Sequence, residues 1–179
     1  WYVPYYNNDK FSMITLEFKS KENEDRYAMA FLLPAESSSV EELLQSLDGA
    51  AFKSALDSAT DDKEVKISLP KFEFEYFTPL NKTLAAMGME QAFSPDNADF
   101  SGITDAERLF ISNVLHKCYV RIDELGAEAA AVTVVEMDAG AMLMEEKMRE
   151  FNANRPFIFA IYSLEDGVIA FVGAVNDPS

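Results

Sequence analysis

The chain holds one histidine and one cysteine, His116 and Cys118, two residues apart. A thiol beside an imidazole is a possible nucleophile and base, provided the two are within hydrogen-bond reach. The run Leu109–Ile122 reads as one long strand, and residues i and i+2 of a strand share a face. On that face (Phe110, Ser112, Val114, His116, Cys118, Val120, Ile122) neighbours stand roughly 6–7 Å apart, with side chains running side by side. The spacing therefore favours a buried structural thiol and a hydrogen-bonded core imidazole over catalysis. A buried imidazole with Ser112 further along could pin its strand to a neighbour, so His116 and Ser112 are read as a sheet latch.

Other chemistries find little support. Zinc needs three or four close ligands, and one His with one Cys does not supply them, so no metal is expected. The seven glycines are scattered singly, without a phosphate-binding loop. Asp61-Asp62 and Glu145-Glu146 lie in polar stretches and read as solvated surface. Asn81-Lys82-Thr83 is a glycosylation sequon, and equally the polar start of a helix. The net charge is −16 and no basic run appears, which argues against nucleic acid and anionic membranes. No apolar run reaches about 18 residues, so no membrane-spanning helix is expected. A single cysteine allows no internal disulfide and leaves the compartment open. At 49% hydrophobic and 26% charged, the chain suits a packed core.

The elements that position these residues are mostly strands. Phe11–Phe18 and Tyr27–Leu33 form a predicted hairpin around the polar run Lys19–Arg26. Ser37–Ser39 supply an N-cap, and Val40, Leu43, Leu44 and Leu47 fall at helical spacing, with Gly49 as the expected stop. A short helix covers Ala51–Ala59. Val65, Ile67 and Leu69 alternate, then the frame shifts at Pro70 to Phe72, Phe74 and Tyr76. Proline cannot donate to a ladder, so this is one extended segment, bent at Pro70, serving two sheet environments. Leu80–Met87 reads as helix with Gly88 as C-cap, and Ser94–Thr104 as loop. Glu145–Glu150 is charged and expected to be exposed. Phe157–Leu164 and Val168–Val175 flank Glu165-Asp166-Gly167 as a buried hairpin with an Asp-Gly turn. The class is α+β, β-rich with short helices. The chain opens on strand-like residues from Trp1 to Tyr6 without a Met, as expected of a piece of something longer.

One stretch is patterned against its own propensity. From Ala127 to Ala139 the odd positions are Ala127, Ala129, Ala131, Thr133, Val135, Met137 and Ala139, all small or apolar apart from one hydroxyl. The charges Glu128, Glu136 and Asp138 fall on even positions. This period of two gives a strand one face fit for burial. Yet Ala and Glu, which dominate its start, are poor strand formers. The pattern implies a conditional strand, a loop in one state and part of a sheet in another.

Landmarks on both sides of this stretch, taken together, resemble the serpin family. Leu69-Pro70-Lys71-Phe72 resembles its LPKF strand, and Leu84 to Phe93 its L..LGI.D.F segment. Ala98 to Ile103 resembles ADLSGI, and Ser112 to Lys117 resembles S.V.HK. Glu124 to Thr133 resembles the hinge, Phe151 to Phe157 resembles F.ADRPF, and Phe171-Val172-Gly173 with Pro178 resembles the family's terminal motif. Each is weak singly; their shared order and spacing are specific. Leu125 stands where the family has Glu and Ala127 where it has Thr, and neither puts a bulky or charged group on the inserting face.

The resemblance implies a serpin-like multi-sheet fold, with residues 1–179 as the C-terminal half of a single domain and 124–150 as hinge and reactive-centre loop. It implies a suicide inhibitor of proteases and no enzyme or cofactor: the loop is attacked as a substrate, and after cleavage inserts into the central sheet before the acyl-enzyme is hydrolysed. The hinge comprises Glu124, Gly126, Ala127, Glu128, Ala129, Ala130, Ala131, Val132 and Thr133. The family's spacing from Gly126 puts the reactive bond at Gly140–Ala141, with Met142, Leu143 and Met144 as rivals. These residues imply an elastase-, subtilisin- or chymotrypsin-like serine protease, with a cysteine protease as a further option. A companion N-terminal half and an extracellular or cell-envelope (secreted) location are also implied. The alternative is a non-inhibitory serpin acting as a binding or carrier module.

Overall fold

The structure, a computed structural model, describes residues 1–18, 25–104, 106–123 and 148–178. In chain order it forms strands β1 (Tyr5–Asn7), β2 (Phe11–Glu17) and β3 (Tyr27–Pro34), then helices α1 (Val40–Ser46) and α2 (Gly49–Ser58). Strands β4 (Val65–Ser68) and β5 (Phe72–Pro79), helix α3 (Asn81–Leu84) and strand β6 (Leu115–Ile122) follow. Strands β7 (Arg149–Asn152), β8 (Phe157–Ser163) and β9 (Ile169–Val175) end the series. The architecture is α+β. The chain divides into two compact units, one of Trp1–Phe72 with Ile122–Ser179, the other of Glu73–Arg121.

The first unit is built on a five-stranded antiparallel sheet ordered β1-β2-β3-β8-β9. The predicted hairpin is β2–β3, in register from Phe11↔Pro34 to Glu17↔Ala28. Strand parity explains why these segments are almost wholly apolar. Phe11, Met13, Ala28, Ala30, Leu32, Ile158, Ala160 and Tyr162 pack with Val40, Leu43, Phe52 and Ala55 of the helices. The alternate residues Ile14, Phe31, Phe157 and Phe159 are also buried, and the Phe72 ring lies 5.9 Å from Phe157 and 5.7 Å from Phe159. Both faces are covered, so both parities must be hydrophobic. Arg155 ties the start of β8 to the end of β3, donating from Nη2 and Nε to the Pro34 carbonyl at 2.8 and 3.2 Å.

Helix α1 begins at a capping box, with Glu42 N donating to Ser39 Oγ at 3.1 Å and Ser39 N to the Glu42 carboxylate at 3.2 Å. Gly49 does not stop a helix; it opens α2. Asp48 accepts from Ala51 N at 2.7 Å, and this N-cap satisfies an orphan donor that the spacing of Gly49 alone could not reveal.

Two expectations about the last third need correction. Residues 149 and 150 were expected in an exposed charged run, but Arg149–Asn152 forms β7, paired parallel with β4 from Val65↔Arg149 to Ser68↔Asn152. Alternation along β7 leaves Glu150 exposed and Phe151 fully buried. The β8–β9 hairpin is present, with Gly167 at φ 73° and the Asp166 carboxylate accepting from Val168 N at 3.1 Å. That amide holds the Asp166 carboxyl below the usual range. Only β8 is buried, however. Among the described residues β9 is the sheet's end strand, with one neighbour, and Phe171 and Val172 are 52% and 63% exposed.

The second unit is a two-stranded sheet of β5 and β6 with α3 and the turns after it. The expected division of one segment between two sheet environments at Pro70 is seen, β4 pairing with β7 and β5 with β6. Gly88 takes φ 105° where the helical stretch ends, as a C-cap glycine would. The predicted strand Leu109–Ile122 is shorter, beginning at Leu115. Residues before it bond to a helix start instead. Asn81 Nδ2 donates to Ser112 O at 3.0 Å, its Oδ1 accepts from Val114 N at 2.9 Å, and Leu80 N donates to Val114 O at 2.8 Å. None of the described residues of this unit is buried.

Anchors of the candidate reactive loop

The hinge residues Glu124 to Thr133 and the bond candidates Gly140, Ala141, Met142, Leu143 and Met144 lie outside the described residues. The structure describes what leads in and out of that segment: β6 with Ile122 and Asp123 before it, and Met148 with β7 after it.

Along β6, Cys118 Sγ and His116 Nε2 are 2.8 Å apart. The two side chains do not run side by side unbonded, the arrangement their spacing predicts, because strand side chains lean along the strand and an imidazole is long enough to reach its i+2 neighbour. His116 is exposed rather than buried, and Cys118 is half-buried. Ser112 lies outside the strand, its carbonyl taken by Asn81. Among the described residues, no group of three His, Cys, Asp or Glu is arranged to hold a metal ion.

Ile122 and Asp123 line a groove of about 620 Å³ in the first unit, together with Trp1–Pro4, Thr15–Glu17, Ile67 and Leu69–Lys71. Its walls are mainly aromatic and aliphatic, with Glu17, Asp61, Lys71 and Asp123 among them.

At the far end, the Arg149 side chain meets Asp62, Thr60 and Tyr5. Its Nη1 lies 3.0 Å from Asp62 Oδ1 and 3.4 Å from both Thr60 O and Thr60 Oγ1. The guanidinium carbon stands 5.2 Å from the centre of the Tyr5 ring, a cation–π distance. Arg149 N also donates to Glu64 O at 3.0 Å. The Thr60 hydroxyl, then Arg149, hold the Asp62 carboxyl below its ordinary value. Burial pushes the Tyr5 phenol up, with Arg149 opposing. Nothing in the sequence pointed to this cluster: Asp62 read as solvated surface, and Arg149 as part of an exposed run.

The arrangement brings a thiol and an imidazole together at Cys118 and His116, and an ion pair at Arg149 and Asp62. What it can do is fix two chain ends in different sheets, β6 against β5 and β7 against β4. A family model described as serpin, serine protease inhibitor, matches residues 2–178. The chain therefore belongs to the serpin family. It is 37% identical over 175 residues to an uncharacterized serpin-like protein of Thermococcus kodakarensis, covering 98% of this chain and 39% of that one. It is 36% identical over 154 residues to intracellular coagulation inhibitor 2 of Tachypleus tridentatus, covering 86% and 36%. Among solved structures it is similar to a thermophilic serpin, tengpin, in the native state, with TM-score 0.68, 35% identity, and 94% and 46% coverage. The chain is thus a fragment of the serpin fold, spanning about two fifths of the curated relatives' length. These relatives lend no support to the expected secretion, since one is named as intracellular. Among the described residues, no helix is long and apolar enough to cross a membrane.

Proposed function

We propose that the protein carrying this chain is an inhibitory serpin acting as a suicide substrate. Residues 1–179 are then the C-terminal half of its domain, and residues 124–150 its hinge and reactive-centre loop. The observation that carries the reading is the alternation of small residues from Ala127 to Thr133 in a member of this family. Insertion as a strand buries one face of that segment, and Ala127, Ala129, Ala131 and Thr133 make that face small and uncharged. The separate sheets of β6 and β7 are compatible with a segment that starts in one sheet and ends in another. The reactive bond is Gly140–Ala141, and the partner is an elastase-, subtilisin- or chymotrypsin-like protease. The companion half of the domain supplies the rest of the sheet.

The test is a denaturing gel of the full-length protein incubated with those proteases. A covalent complex stable in detergent is the expected product. Cleavage in 124–147 without a complex across the whole panel refutes inhibition and favours the non-inhibitory reading. Ala131→Arg converts the inhibitor into a substrate, because insertion would bury an unpaired charge; unaltered inhibition would contradict the hinge assignment.

A further inference from the structure

We infer that Arg149 is a positioning residue that fixes the C-terminal end of the reactive loop. The inference rests on reading residues 124–150 as that loop. Strand β7 has four residues and its partner β4 has four, and they run parallel. So short a parallel ladder is weak by itself. Its first residue, Arg149, also reaches beyond the ladder, its side chain to Tyr5, Thr60 and Asp62 and its backbone N–H to Glu64.

The cluster is itself braced. Tyr5 and Thr60 exchange backbone hydrogen bonds at 2.9 and 3.0 Å, and the Thr60 hydroxyl donates to Asp62 at 2.6 Å. Its character differs from the other ion pair on this strand pair. The Arg149 side chain is 24% exposed against an Asp62 partner at 57%, whereas Lys66 and Glu150 pair at 66% and 59%, so the difference lies in the guanidinium. Exposed pairs hold little, while a partly desolvated guanidinium with several acceptors holds its strand in place.

The bond candidates precede this anchor by few residues. The tether from Met144 or Gly140 to Arg149 is five or nine residues, at most roughly 17 or 32 Å when extended. The point where β7 is held therefore limits where a protease meets the bait bond.

The experiment uses the full-length protein with Arg149→Met and Asp62→Asn. Lys66→Met serves as an exposed-pair control. Arg155→Met, which removes the bonds to Pro34, serves as a control for general loss of stability. Hydrogen exchange is read at residues 65–68 and 150–152, thermolysin nicking within 124–147, and inhibition as moles of inhibitor consumed per mole of protease. Arg149→Met is expected to speed exchange in both strands about tenfold, with Asp62→Asn between it and wild type. Nicking rate and stoichiometry are expected to change severalfold, beyond any change in Arg155→Met at equal thermal destabilisation. Exchange no faster than in Lys66→Met overturns the inference, and so does faster exchange with unaltered nicking. If the wild-type protein forms no complex with any protease, the inhibitory reading fails, and exchange and nicking still decide the anchor.

Discussion

Gly173 offers a sharp test of the packing. It sits on β9 directly opposite Phe159 of β8, and the Phe159 ring lies over its α-carbon. A Cβ added at Gly173 would meet Phe159 Cζ at 2.5 Å and Cε1 at 2.7 Å. Restoring ordinary contact requires the ring to retreat by about 1 Å. That retreat is blocked, because Phe159 is 4% exposed and its ring packs on Phe72 at 5.7 Å. Overpacking of this kind costs about 1–3 kcal/mol. Replacing glycine in a strand returns about 0.5–1 kcal/mol through lost unfolded-state freedom. Gly173→Ala should therefore destabilise by about 1 kcal/mol, lowering a urea midpoint by about 0.5 M at a slope of about 2 kcal/mol per M. Circular dichroism of the purified protein reads this directly. A cycle with Phe159→Leu identifies the cause: the shorter side chain should absorb most of the alanine penalty, giving a favourable coupling of about 1 kcal/mol. A midpoint at or above the parent's, or additive effects in the cycle, would refute the steric argument.

Two further outcomes follow from the hydrogen bonds. Asn81→Ala releases Val114 N and Ser112 O, and should cost about 1 kcal/mol with faster exchange confined to residues around Val114; unchanged exchange there would show that the side chain is not the tie. Asp62 has a folded pKa lowered by Thr60 and Arg149. Its contribution is therefore complete above the unfolded value near 4 and is lost as pH falls through the lower folded value. The difference in melting temperature between wild type and Asp62→Asn should be steady near neutrality and shrink as the pH is lowered below about 4; a difference independent of pH would count against the Thr60 and Arg149 contacts to the carboxylate.

Much of the fold is legible in local pattern. The apolar runs of β2, β3 and β8, the Ser39–Glu42 capping box, the break at Pro70 and the Asp166-Gly167 turn all depend on neighbours within a few residues. So does the family resemblance, a matter of ordered short motifs. The two-residue alternation at Ala127 to Ala139 likewise singles out the candidate loop without any coordinates. The same local rules misread Gly49, because glycine is compatible with a helix start as well as a stop, and Asp48 decides which. They overextended the strand before Leu115, because Asn81 competes for Ser112 and Val114 from more than thirty positions away.

What the sequence determined, then, is which segments alternate, where they turn, and which stretch has the small residues that insertion requires. Only the tertiary structure decided which alternating faces are covered. Within this fragment it left Phe171 and Val172 exposed on an end strand although their pattern matches that of buried β8. It also brought Arg149 to Thr60, 89 positions away, and to Asp62 and Tyr5. The reason is physical. Periodicity is set by the backbone geometry of each residue and its neighbours, so one sequence window contains it. Burial and ion pairing depend on which remote segment arrives alongside, and no single window holds that information.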